Sequence, residues 1–163
     1  MIDATTLDAL AEFPRRLEAH YAAIPARFAN WTPPSWDGIP SEPFTALEQI
    51  CHVRDIESDG YHVRFVRTLR ETNPNLPDVD GTALARERAY ANARADEVFA
   101  AFRLARSHSL TQISTWDEDQ LARPALFEGR PATLAGLVHT LCSHDQQHLA
   151  GLQWLLARIS TAR

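Results

Sequence analysis

A chain of 163 residues, 45% apolar and 23% charged, has the composition of one globular domain with enough bulk for a single core. Its formal net charge is −5 and its arginines are scattered among acids, so it offers no concentrated basic surface, and nucleic acid is not an expected partner. There is no lysine, which excludes lysine Schiff-base chemistry and a lysine-dependent phosphate loop.

No run approaches eighteen uninterrupted apolar residues, so no membrane span is expected. Residues 1–12 carry three acids and no base, unlike a secretory leader, and a cytoplasmic location is expected. One domain over residues 1–163 is the economical reading.

In chain order, Leu7, Leu10, Phe13, Leu17, Tyr21, Ile24 and Phe28 recur every three or four residues and predict a first helix over 6–30, kinked or restarted at Pro14 and Pro25. Residues 31–40 hold four prolines or glycines and read as a loop, whose Trp31 and Trp36 should pack over one end of the core. A second helix is predicted from near Pro43, carrying Leu47, Ile50, Cys51, Ile56, Phe65 and Leu69, and stopping before Asn73-Pro74-Asn75-Leu76-Pro77. From Gly81 a short helix and then a longer one follow, fading near Trp116. Residues 122–130 read as irregular. The last helix is predicted from an N-cap at Thr133 to Arg158, with Leu134, Leu137, Leu141, Leu149, Leu152 and Leu155 in its stripe. No strand alternation is evident. Four long amphipathic segments joined by long connections indicate an all-α, antiparallel four-helix bundle.

The last helix carries His144-Asp145-Gln146-Gln147-His148. Two imidazoles four residues apart lie one turn apart on nearly the same helix face, where they can share one metal ion. Seven histidines produce such a pair by chance often enough that two satisfied core histidines fit the spacing equally well. His52, on another core-directed helix, is the best third ligand; His20, His62, His108 and His139 are expected at the surface or in minor roles. Three imidazoles with an open position would form a catalytic rather than a structural site. Asp55 and Asp145, three residues from His52 and His148, are candidates to accept the distal N–H of a ligating ring, whereas Glu48 is expected in ordinary helix ion pairs. Cys51 and Cys142 read as small core residues, and Cys51 points about 100° away from His52 around the helix. A zinc-protease helix needs glutamate where Asp145 stands, and the strands of such proteases are missing.

The segments "ALEQICHVRDIESDGYHVRF", "NPNLPDVD" and "GRPATLAGLVHTLCSHDQQHLAGLQWLL" resemble the DinB-like superfamily, which includes YfiT-type metal-dependent hydrolases and bacillithiol transferases. The resemblance spans nearly the whole chain. It implies a four-helix bundle, often a homodimer, with a divalent metal on His52, His144 and His148. Zinc and nickel are the foremost metals, with iron and copper also compatible with three imidazoles. Two functional classes follow. One is an enzyme whose ion activates water or a low-molecular-weight thiol cosubstrate against a small-molecule substrate. The other is a non-catalytic metal- or ligand-binding stress protein of the same fold.

Overall fold

A computed structural model describes residues 1–161 and contains four long helical rods. The first, α1 (Ala4–Ala22), starts where the Asp3 carboxylate accepts the Thr6 N–H, and it buries Leu10, Phe13 and Leu17. Pro14 sits inside α1 without breaking it. A proline at this position cannot donate to the Leu10 carbonyl one turn back. The Arg106 guanidinium does so instead, at 2.9 Å, and closes the gap that would otherwise favour a kink. The rod ends before Pro25, so the first helix is shorter than its apolar stripe suggests.

The second rod begins at α2 (Ala46–Asp55), three residues after Pro43, because Thr45 and Glu48 form a reciprocal capping box. Glu48 is therefore committed to the helix start, through the Thr45 N–H. A wide, π-helical turn over Ile56–Tyr61 leads directly into α3 (His62–Arg70). After a short strand β1 (Asn75–Leu76) come α4 (Gly81–Glu87), capped by Asp80, the third rod α5 (Ala95–Ile113) and the single turn α6 (Glu118–Leu121).

Residues 122–130 are not irregular. Strands β2 (Pro124–Phe127) and β3 (Arg130–Thr133) form an antiparallel hairpin, and β1 adds to β2 in parallel. Glu128 and Gly129 turn the hairpin with φ of 50° and 73°, the positive values that a two-residue turn of matching twist requires. Each strand is only four residues long and contains a proline, which leaves too little alternation to detect. The fourth rod, α7 (Leu134–Thr161), follows at once, with the Thr133 hydroxyl capping the Gly136 N–H as predicted.

Contacts fix the directions of the rods. Leu10 meets Arg106 while Glu18 meets Arg103, so α1 and α5 are antiparallel. Glu57 meets Arg106 while His62 meets Ser109, so the second rod and α5 run the same way. Gln49 meets His148 while His52 meets His144, so α2 and α7 are antiparallel. The bundle thus consists of two parallel pairs facing opposite ways.

Its apolar interior falls into two clusters. One holds Phe13, Leu17, Ile50, Phe102 and Leu152, and the other Leu10, Phe65, Leu137 and Leu141. Along the rods, the buried polar residues Asp55, Glu57, Arg106, Asp145 and His148 fall at the changeover between them, and Gln49 and His52 lie just before it on α2. Trp36 stacks on Trp154 at 6.2 Å over one end, as expected of the loop tryptophans. Among the described residues, no helix is long and apolar enough to cross a membrane.

Candidate metal centre

The polar seam brings His52 from α2 and His144 and His148 from α7 into one cluster. The His144 Nε2 lies 3.3 Å from that of His52 and 3.1 Å from that of His148. A carboxylate absent from the sequence reading completes the group: Glu42 places one oxygen 3.4 Å from His52 Nε2 and the other 3.2 Å from His148 Nε2. One donor atom from each of the four residues lies within 4.8 Å of all the others. Glu42 belongs to the proline-flanked turn before α2, a position no helical periodicity marks.

Hydrogen bonding shows what this group lacks. The Gln49 amide nitrogen donates to Ser41 Oγ at 2.8 Å and faces the carbonyls of Glu42 and Phe44 at 3.3 Å. Its oxygen must therefore be the atom facing His148 Nδ1, which carries the proton and donates it. The Nε2 of His148 is then bare, and it faces a Glu42 oxygen that itself has no hydrogen-bond partner. Two lone pairs pointed at one another in a buried space are the arrangement a cation resolves. Ligands about 2.0–2.1 Å from one ion would be separated by about 3–3.4 Å, which is the range seen among these nitrogens and oxygens. Burial pushes His144 well below the ordinary imidazole value and lowers His148 as well, with neighbouring imidazoles adding to both effects. The two rings are accordingly neutral, as ligation needs.

The sequence profile of the DinB superfamily matches residues 9–152. The chain belongs to the DinB superfamily. No curated protein matches it. Among solved structures, the chain is similar to YfiT from Bacillus subtilis, described as a probable metal-dependent hydrolase with an unusual four-helix bundle topology. The match has a TM-score of 0.83 and 19% sequence identity, covering 98% of this chain and 91% of that one. At that identity the likeness carries the fold.

The carboxylates expected behind the imidazoles of this DinB-superfamily chain serve elsewhere. Asp55 accepts from Tyr90 Oη and Arg54 Nε, both at 2.6 Å, and from Arg88 at 2.9 Å. Asp145 receives two bonds from Arg106, at 2.8 and 3.1 Å. Neither bonds an imidazole. A three-residue step turns the side chain about 60° off the shared face, which is enough for the arginines to claim both acids. Gln49 holds the position expected of Asp145, and its signal in the sequence was its place three residues before His52 on the same core-directed helix. His52 Nδ1 has no partner, and Gly81 lies against that ring edge: a Cβ there would sit 2.7 Å from His52 Nδ1 and Cε1. His20, His62, His108 and His139 lie outside the cluster, with His62 bonded to Ser109 Oγ at 2.9 Å.

Behind the cluster, Arg106 is fully enclosed and bridges Glu57 and Asp145. Burial opposes ionisation of Glu57, but Arg106 and Ser109 outweigh it and hold this carboxyl below its usual range. The wide turn at Ile56–Tyr61 carries Glu57. In front of this cluster lies a cavity of ≈ 540 Å³, lined by Glu42, His52 and His144 together with Tyr61, Arg64 and residues 78–82, among others. Neither cysteine lines it, and burial pushes the Cys51 thiol up to about 12.

Proposed function

We propose that this protein is a metal-dependent enzyme in which a divalent ion, zinc or nickel foremost, is held by His52, His144 and His148 together with Glu42, and activates a small nucleophile against a molecule bound in the adjoining cavity. The observation that carries this reading is the convergence of three imidazoles and an unpartnered carboxylate oxygen beside a ≈ 540 Å³ cavity. A structural site has no need of such a cavity.

When bound, the ion supplies Lewis acidity and lowers the pKa of water or of a thiol at its open position. The chain supplies the rest. Gln49 holds His148 in the one tautomer that leaves Nε2 free. Glu42 reaches the cavity on a loop, with its side chain 43% exposed, where a carboxylate can take the nucleophile's proton. The apolar faces of Tyr61, Ile56 and Phe127 exclude water from part of the chamber. A thiol nucleophile would have to be a free cosubstrate, since Cys51 is sealed in the core and Cys142 lies outside the cavity. The DinB-superfamily membership and the description of YfiT as a probable metal-dependent hydrolase support the metal-dependent part of the reading.

Elemental analysis of purified protein, followed by a panel of thiol-conjugation and ester-hydrolysis assays with and without chelator, tests it. Near-stoichiometric metal, lost in His148→Ala, and chelator-sensitive turnover are expected. Metal content unchanged in His148→Ala would overturn the site, and a metal-loaded protein inert across the panel would overturn the enzyme.

A further inference from the structure

Among the described residues two arginines are buried, in opposite circumstances. Arg106 has every reason to be where it is: it makes two bonds to Glu57, two to Asp145 and one to the Leu10 carbonyl. Arg64, with a side chain only 4% exposed, makes a single hydrogen bond, from Nη2 to Asp78 at 3.0 Å. Asp78 is itself 62% exposed, and the Nε of Arg64 has no partner. Burying a guanidinium on so little compensation is costly, because each unmet donor forfeits its hydration.

The surroundings hold this cation ready. Its guanidinium carbon lies 4.8 Å from the Tyr61 ring centre and 4.5 Å from that of Phe127, so aromatic rings position it from both the wide turn before α3 and the hairpin side. Gly60 lies against Nη1, where a Cβ would stand 3.3 Å away. Arg64 and Tyr61 line the same cavity as His52, His144 and Glu42.

We propose that this cavity takes a small molecule bearing a carboxylate, and that Arg64 is the residue that binds it, replacing the exposed partner Asp78. The proposal rests on the enzyme reading above, in which the reacting end of the same molecule lies at the histidines. A guanidinium offers a planar fork matched to a carboxylate, and a single bond to an exposed acid is the contact most easily exchanged for a bidentate one. The charge of the chamber selects the class. Glu42, Asp78, Asp80 and Glu128 also line it, so a singly charged carboxylate exchanges with Asp78 charge for charge, whereas a phosphate dianion would add a second negative charge among these acids with no second arginine.

Calorimetric titrations with benzoate, its neutral counterpart benzamide, and inorganic phosphate test the proposal on wild type, Arg64→Met and Asp78→Asn, each with and without stoichiometric zinc. Wild type should prefer benzoate over benzamide by at least about tenfold. Arg64→Met should lose that preference and keep its zinc content, and Asp78→Asn, altered only at an exposed acid, should bind benzoate several-fold tighter. Equal binding of benzoate and benzamide by wild type, a preference that survives in Arg64→Met, or phosphate binding tighter than benzoate would each overturn it. Because Arg64 is not a ligand of the ion, the preference should persist in metal-free protein. Failure to take up zinc would thus defeat the enzyme reading while leaving the Arg64 preference to be judged separately.

Discussion

Replacing Gln49 by methionine isolates the part of the centre that holds a ligand rather than being one. Gln49 is fully buried, and its amide does two things at once. Its oxygen takes the proton of His148 Nδ1, and its nitrogen ties down Ser41 Oγ and the turn that carries Glu42. Methionine keeps the length and fills the space, but it leaves a buried ring N–H without an acceptor, at a cost of about 1–3 kcal/mol. Loss of an outer partner of a ligating histidine lowers metal affinity about 10–100-fold, equivalent to about 1.4–2.7 kcal/mol, so the two ways of counting agree. Zinc affinity measured by competition with a chelating dye should fall by that factor. Circular dichroism of the metal-free variant checks that the bundle is intact. Gln49→Glu, which keeps an acceptor for Nδ1–H, should retain more affinity than methionine does. A folded Gln49→Met protein with a zinc Kd within about twofold of wild type would refute the tautomer argument.

Other consequences are as specific. Gly81→Ala would force a methyl to within 2.7 Å of the His52 ring, which Phe44 backs at 5.1 Å, so zinc affinity should drop about tenfold while the metal-free melting temperature moves little. Arg106→Met leaves Glu57 and Asp145 buried without their shared partner and the Leu10 carbonyl without a donor; urea denaturation should show a loss of about 3–5 kcal/mol, or no folded protein. The folded Glu57 carboxyl lies below its reference value of 4.5, so the unfolded chain takes up that proton first as pH falls. Its contribution is complete above that reference value and is lost as pH drops through the folded one, and Glu57→Gln should flatten this acid limb of a stability–pH curve.

The helices were legible because burial repeats every three or four residues, and the apolar stripes through Leu10–Phe13–Leu17 and Leu134–Leu137–Leu141 are those of the core. The three histidines were legible for the same reason: polar rings interrupting an apolar stripe must have business in the core. What periodicity could not reach were interactions between elements. Pro14 signals a break when read locally, and only the distant Arg106 explains why none occurs. Glu42 lies in a turn, where no period says which side chain faces inward. Asp55 and Asp145 share the right helices with the histidines, but beyond the neighbouring Arg54 they face Arg88 and Arg106, which sequence proximity does not reveal. The hairpin was lost to its brevity and its prolines.

The four donors divide by stiffness, and that division bears on chemistry. His144 and His148 are carried by one long helix, and His52 by another begun by a capping box. Their relative positions are set by the same packing that defines the bundle, with Arg106 pinning α7 and the turn after α2 to α5 from behind. Glu42 has no such support. It lies outside any helix, joined to the rest through the Gln49 amide and its own backbone, and its side chain is 43% exposed where those of His52 and His148 are 3% and 0%. On the proposed reading, three rigid donors and one on a tether would let the site keep an ion while one position is exchanged. A fourth histidine from a helix would have closed the shell. A carboxylate on a turn, beside a cavity with an underused arginine, leaves the shell able to open toward whatever the cavity holds.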